Sequence, residues 1–507
     1  MRLWHLVRNV LSGWFVTAAS LAVGFFLSPF VVHRLGNAAY GVWIIAVFSV
    51  NYLLLFDVGM RSSILRYVSK GHTTQDHQSA SEVISAVLWV RLQISVLVLL
   101  SSGILAVFFP VLFKVPASLA LQGREAVLII GVSTALSMAF GVFSGVVSAL
   151  NRYDLHGLAN FVQLAIRVIG TVAVLRAGRG IVAIAICELV ATLVRCVWLA
   201  FMTRQIYPAL KITLKIPGRE VLRKIWSYSA YAFLLTVAGQ LVYQTDNLVV
   251  GAFVSAAAVT FYSIGNSLCR YTQQIVESMT GTFTPAASTY ESAGNIASLR
   301  TLYVNGTRLV IAISSPILIT FLVRGRTFIA LWMGPQYSHS SGIVLVILAS
   351  ALFFSLSNST ASAIAWGIEK HKRVAKWAVL EAVANLTLSV ILAIKMGIYG
   401  VAIGTLVPSL VIHLVFWPRY VPSLVNITTT QVYRDVWAPV YLCAVPYALA
   451  SYLVDRFFPT HSMAFFLVQT VALIPILACT LGLVFHNQIK LQVVPRLRSF
   501  FLRRQNA

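Results

Sequence analysis

Four arginines, Arg91, Arg167, Arg195 and Arg270, stand inside long apolar runs, away from the loops and tails that hold the other Lys and Arg residues. A guanidinium in hydrocarbon costs at least ~2.5 kcal/mol on insertion scales, so each must face protein, water or an anionic ligand. Guanidinium forks grip carboxylate and phosphate oxygens bidentately, and several in one membrane cavity point to an anionic ligand. A cavity for lipophilic cations would favour carboxylates and aromatic rings without arginine.

Polar neighbours accompany these arginines. Asn266, Arg270, Gln273 and Glu277 are spaced by four, three and four residues and so form one stripe along a helical face. Gln240 and Tyr243, with Thr236 and Asn247, repeat that spacing on the preceding run. Two readings are open: an interhelical hydrogen-bond seam, or the wall of a polar cavity. A seam does not need Arg and Glu where Ser, Thr and Asn suffice, which favours the cavity wall.

Arg167 lies in the middle of the run 158–175, too deep to snorkel to either interface. Glu188 and Arg195 are seven residues apart on the next run, hence on one face but about 10 Å apart along the axis. Each therefore needs a partner on another helix, and Glu188 with Arg167 is the expected pair, either as part of a site or as a structural tie. The run Leu92–Phe109 nearly spans by itself, which places Arg91 either at the inner interface, snorkelling to headgroups, or in the cavity. Asp57, Arg61 and Arg66 cluster at the inner end of the second run and read as an inner gate or as topology charges.

The elements that position these residues follow from composition. Of 507 residues, 59% are hydrophobic and 10% charged, against ~25% charged in soluble domains, and the mean hydropathy is +0.84. Continuous rather than alternating apolar runs indicate spanning helices and exclude a β-barrel. The chain is an all-α polytopic membrane protein with about fourteen expected spans: 10–33, 39–57, 83–112, 125–150, 157–175, 180–203, 227–252, 257–286, 309–324, 340–367, 377–394, 397–418, 436–454 and 463–486. The first is a retained helix rather than a removable signal peptide.

Most Lys and Arg residues fall on the side shared by the two termini, which the positive-inside rule makes cytoplasmic. The net charge of +24 is spread over short loops, so it reads as topology signal and contact with anionic lipid, not as a nucleic-acid surface. The five cysteines all fall within expected spans and read as small packing residues. No metal-ligand cluster, phosphate-binding glycine loop or nucleophile motif is present, so neither a cofactor nor enzymatic chemistry is expected.

The polar interruption near 206–226 divides the chain. The expected organisation is an N-terminal six-helix bundle (1–205), a cytoplasmic linker (206–226), a second six-helix bundle (227–422), two additional helices (433–487) and a basic cytoplasmic tail (488–507). The stretch from Ser28 to Ala39 aligns weakly with that from Asp246 to Ala257, which suggests parallel repeats with a site between the halves. Gly141 and Gly145 form a small-xxx-small pair better suited to close helix packing than to a dimer interface.

The stretch from Leu27 to Trp43, containing Leu35-Gly36-x-x-x-Tyr40-Gly41-x-Trp43, is followed by Asp57-x-Gly59 and Arg66. It resembles the start of Wzx-type polysaccharide flippases, members of the multidrug/oligosaccharidyl-lipid/polysaccharide exporter superfamily. Beyond about residue 70 the similarity is one of topology. The resemblance implies a MATE-like two-bundle fold and translocation of undecaprenyl-pyrophosphate-linked oligosaccharide across the bacterial inner membrane by alternating access, for O-antigen, capsule or exopolysaccharide synthesis. It implies lipid-linked oligosaccharide and membrane lipids as partners, with the polymerase and chain-length machinery as further candidates. It supplies no fixed catalytic set, so Arg167, Arg270, Arg195, Asn266, Gln273, Gln240, Tyr243 and Arg91 rest on their helical placement. Glu188, Glu277 and Glu381 are candidates for carrying a coupling proton. The rivals are a drug/cation antiporter on the same fold, and a glycan polymerase or ligase, which would need the large outside loop this chain lacks.

Overall fold

In lipid a backbone can satisfy its polar groups only within the segment, so apolar runs of this length must be helical. The computed structural model describes residues 3–57, 60–214 and 244–483 with the single positions 218, 237, 239 and 240, and all regular structure among them is helical. Twelve helices among the described residues are long and apolar enough to cross a membrane. Of the fourteen expected spans, that at 227–252 lies largely outside the described residues. That at 257–286 is divided into a helix over Ala256–Thr280, which carries the polar stripe, and the start of a short one over Phe283–Ser292, and neither is among the twelve.

The first compact unit comprises residues up to Ser263 together with Leu386–Val401. Its helices are α1 (Leu3–Leu35), α2 (Asn37–Asn51), α3 (Met60–Thr73), α4 (His77–Leu112), α5 (Ala117–Ala149), α6 (Tyr153–Arg176) and α7 (Ile181–Ile206). α5 lies against both α4 and α7, and α6 against α1 and α7. Lipid tails are as apolar as leucine, so these contacts depend on close packing by small residues rather than on water expulsion. A β-carbon on Gly145 would stand 2.8 Å from the Ile64 side chain, and one on Gly141 would stand 2.2 Å from Arg91 Nη1. The glycine pair on α5 thus packs within the unit.

The turn between α1 and α2 rests on Gly36, whose φ of +78° suits glycine. Five residues on, a β-carbon at Gly41 would meet the Ala256 carbonyl oxygen at 1.7 Å. Residues 207–214 run along α4. There the Lys211 and Thr213 N–H groups donate to Ser81 and Ser85 Oγ, and the Tyr207 hydroxyl lies 2.7 Å from His77 Nδ1. Burial raises the Tyr207 phenol above its ordinary pKa, and the nearby Asp76 carboxylate adds to the shift. The phenol therefore stays neutral at physiological pH.

The second unit comprises Ile264–Asn385 and the residues from Ala402 onward. It contains most of α8 (Ala256–Thr280), then α9 (Phe283–Ser292), α10 (Ile296–Met333), α11 (Pro335–Gly367), most of α12 (His371–Met396) and of α13 (Ile398–Val425), α14 (Thr429–Phe457) and α15 (Met463–Leu483). α10 exceeds the expected 309–324 at both ends: a polar but helix-compatible stretch continues it on the N-terminal side, and the helix runs on past Arg324 to Met333. Arg324 on α10 is only 1% exposed; its Nε lies 3.1 Å from Asp455 Oδ1 on α14, its Nη2 donates to Gln469 Oε1 on α15 at 2.6 Å, and its guanidinium stacks over Phe466 at 4.2 Å. One charge therefore ties the two additional C-terminal helices to α10.

Two outcomes test this packing. Asp455→Ala leaves the Arg324 charge buried without its carboxylate and should cost about 3 kcal/mol or more, visible as a lower Tm in detergent. Arg324→Met should cost less, because Asp455 retains some solvent. Gly41→Val, opposed by backbone that cannot yield cheaply, should lower the yield of folded protein on size-exclusion chromatography.

Candidate functional site

Five helices of the first unit each turn one polar-bearing face toward a common cavity of about 620 Å³. The spacing shows why. Gln163, Arg167 and Thr171 follow every four residues on α6, Glu188, Thr192 and Arg195 follow at four and three on α7, and Ser133, Thr134 and Ser137 share a face of α5. α1 contributes Gly24 and Ser28, and α2 contributes Tyr40, Trp43 and Asn51.

The wall is cross-linked by hydrogen bonds. Arg167 grips Glu188 as a fork, with Nη2 donating to Oε1 at 2.7 Å and Nε 2.5 Å from Oε2. The pair expected from sequence is therefore formed, between α6 and α7. Thr192 Oγ1 accepts from Ser133 Oγ at 3.0 Å and from Gln163 Nε2 at 3.2 Å, joining three helices at one hydroxyl. Arg195 Nη2 donates to Ser137 Oγ at 3.3 Å, so its partner there is a neutral hydroxyl. Two arginines and one glutamate give the lining one net positive charge when all are ionised.

The remaining expected residues lie elsewhere. Arg91 is 4% exposed between α4 and α5, and its Nη1 donates to the Met138 carbonyl at 3.4 Å. This corrects the snorkelling reading of Arg91: Gly141 leaves room for its guanidinium inside the bundle, and Arg91 is not among the residues that line this cavity. Arg270 belongs to the second unit, where its Nη1 donates to Gln273 Oε1 at 3.3 Å and Gln273 Nε2 donates to Glu277 Oε1 at 2.7 Å. The stripe on α8 thus hydrogen-bonds along its own helix, with Asn266 half-buried at one end and Glu277 exposed at the other.

Glu381 on α12 lies 3.8 Å from His413 Nε2 on α13, and Asn358 Nδ2 donates to the His413 carbonyl at 3.1 Å. Gln240 is half-buried, and its backbone carbonyl, not its side chain, accepts from the Tyr52 hydroxyl at 3.2 Å. Tyr243 lies outside the described residues, as do the side chains of Asp57 and Arg61, and Arg66 is exposed on α3. Among the described residues no group of three or more His, Cys, Asp or Glu is placed to hold a metal ion.

Sequence reasoning missed much of the lining. Gln163 stands four residues before Arg167 and was accessible to the spacing rule applied to α8. Tyr40 and Trp43 were visible as motif residues but not as wall. Ser133, Ser137 and Thr192 carried no signal, since a hydroxyl on a spanning helix ordinarily bonds its own backbone, as Thr203 does with the Leu199 carbonyl.

The chain is 22% identical to the protein named uncharacterized membrane protein EpsK of Bacillus subtilis (strain 168), over 80% of this chain and 81% of that one. Its fold matches that of the lipid II flippase MurJ in an inward closed conformation, with TM-score 0.70 and 15% identity over 95% of this chain and 100% of that one. It also matches an inward-facing MATE multidrug resistance transporter of the MOP superfamily, with TM-score 0.65 and 16% identity over 81% and 95% of the two chains. The fold is therefore all-α, polytopic and MATE-like, as the resemblance implied. Residues 31–342 match the family described as polysaccharide biosynthesis protein, and the chain belongs to that family.

Proposed function

We propose that this chain flips a lipid-linked oligosaccharide across its membrane, with the cavity of the first unit receiving the anionic headgroup. The observation that carries this reading is the Arg195 guanidinium: it faces a cavity in which the other arginine is already matched by a carboxylate, while its own partner is a hydroxyl. A phosphate oxygen suits that position, and Gln163, Asn51 and the Tyr40 and Trp43 rings suit hydroxyl-rich sugars. Membership of a polysaccharide biosynthesis family and the fold shared with a lipid II flippase support the same substrate class.

The finer reading is an undecaprenyl-pyrophosphate carrier, moved by alternating access at the bacterial inner membrane with both termini cytoplasmic, for surface polysaccharide synthesis. Glu188 is the favoured coupling carboxylate. Because it neutralises Arg167, its protonation adds one positive charge to the cavity, so proton uptake and anion binding favour each other. A drug/cation antiporter shares the fold, but a net cationic lining opposes a cationic substrate.

In a deletion strain complemented with variants, Arg195→Ala should cut surface polysaccharide at least ~10-fold at equal membrane abundance, the worth of one ionic hydrogen bond. Arg167→Ala should also lower it, because it removes one of the two cations that line the cavity. Full polymer from Arg195→Ala would remove that residue from the site. Drug efflux from vesicles that falls in these variants while polymer persists would establish the antiporter instead.

A further inference from the structure

At ~1.5 Å per residue the 38 residues of α10 reach about 57 Å, well beyond a bilayer core of about 30 Å. The apolar part of α10 begins near 309, so the stretch 296–308 extends beyond it at one end of the helix. There Arg300, Val304 and Arg308 form one row at four-residue spacing, and Thr301 and Asn305 form the row beside it. The first turns of α14 lie against this face through a π-wound segment, Val432–Trp437. Arg308 Nη2 donates to the Asp435 backbone carbonyl at 2.6 Å, which joins the two elements.

Between them lies a cavity of about 320 Å³ lined by Arg300, Thr301, Asn305, Arg308, Gln431 and Asp435, with Val304, Ile427 and Val436 as its apolar floor. Beneath it Tyr303, Trp437, Trp417 and Tyr420 pack into a buried aromatic core that holds its walls in place. Three guanidiniums, of Arg300, Arg308 and Arg434, lie within electrostatic reach of the single Asp435 carboxylate. Arg434 already engages that carboxylate, with Nε 2.8 Å from Oδ1. The lining therefore keeps a cationic excess alongside two amides and a hydroxyl. Its volume falls at the low end of small-ligand sites, ~300–1,000 Å³, suited to a phosphate group and its immediate substituent rather than to an oligosaccharide.

We propose that this cavity binds a phosphate ester, the headgroup of an anionic phospholipid, at the membrane surface beside α10 and α14. Basic pockets at a membrane surface take such headgroups, and Arg forks match the two free phosphodiester oxygens. The site belongs to the second unit and is independent of the glycan reading.

Native mass spectrometry of the purified chain with added phosphatidylglycerol, phosphatidylcholine or inorganic phosphate tests it. The wild type should retain phosphatidylglycerol over phosphatidylcholine, and the double variant Arg300→Gln, Arg308→Gln should weaken that retention at least ~10-fold. Retention should be partly kept in Arg300→Lys, Arg308→Lys, which preserves the charge but loses the forks, and should persist in Arg419→Gln, which alters an exposed basic residue elsewhere. Competition by inorganic phosphate would support the phosphate site and identify a free anion as an alternative occupant; no competition would favour the lipid. Equal retention by the wild type and the Gln double variant, or an equal loss in Arg419→Gln, would overturn the proposal.

Discussion

A guanidinium cannot stand in hydrocarbon without a partner, and this constraint organises both units of the chain. Three deep arginines are each matched by a group on a different helix, so each of them fixes a pair of helices. Arg91 reaches the Met138 carbonyl and requires the missing side chain of Gly141. Arg167 closes a fork on Glu188. Arg324 holds Asp455 and Gln469 and covers the Phe466 ring. Removing any of these contacts strands a charge, which costs far more than the contact itself contributes.

Close packing supplies what the hydrophobic effect cannot supply between helices in lipid. The motif from Leu35 to Trp43 shows how densely one stretch can serve that end. Gly36 turns the chain, Gly41 lets the Ala256 backbone approach where no side chain fits, and Tyr40 and Trp43 point their rings at the cavity. A motif recognised by resemblance thus acquires a physical account: one residue for the turn, one for contact and two for the wall.

The helical class and the spans were legible because the length and continuity of apolar runs leave the backbone no other solution. The Arg167–Glu188 pair was legible because two charges on neighbouring spans have few alternatives. Arg91 was misread because its burial depends on Gly141, far along the chain, and no local pattern reports that space. The N-terminal extension of α10 was missed because a threshold of apolarity marks where a membrane span ends, not where a helix ends. The hydroxyls of Ser133, Ser137 and Thr192 were silent because their type is common on spanning helices and only tertiary placement gives them a shared partner.

Placement also changes which arginine bears on anion recognition. In sequence Arg167 and Arg270 stood out, the first for its depth in its run and the second for its place in a continuous polar stripe. That stripe proves to be a chain of side chains bonded along one helix, from Arg270 to Gln273 to Glu277, so much of its polarity is satisfied without any ligand. Arg167 is likewise matched, by Glu188. Arg195 differs in kind: its partner is a neutral hydroxyl, its cavity holds amides and aromatic rings, and an anion there would gain a charge-assisted bond without breaking an existing ion pair. The same reasoning separates a structural arginine from a binding one throughout a membrane protein, since the first is matched by the fold and the second by what the fold admits.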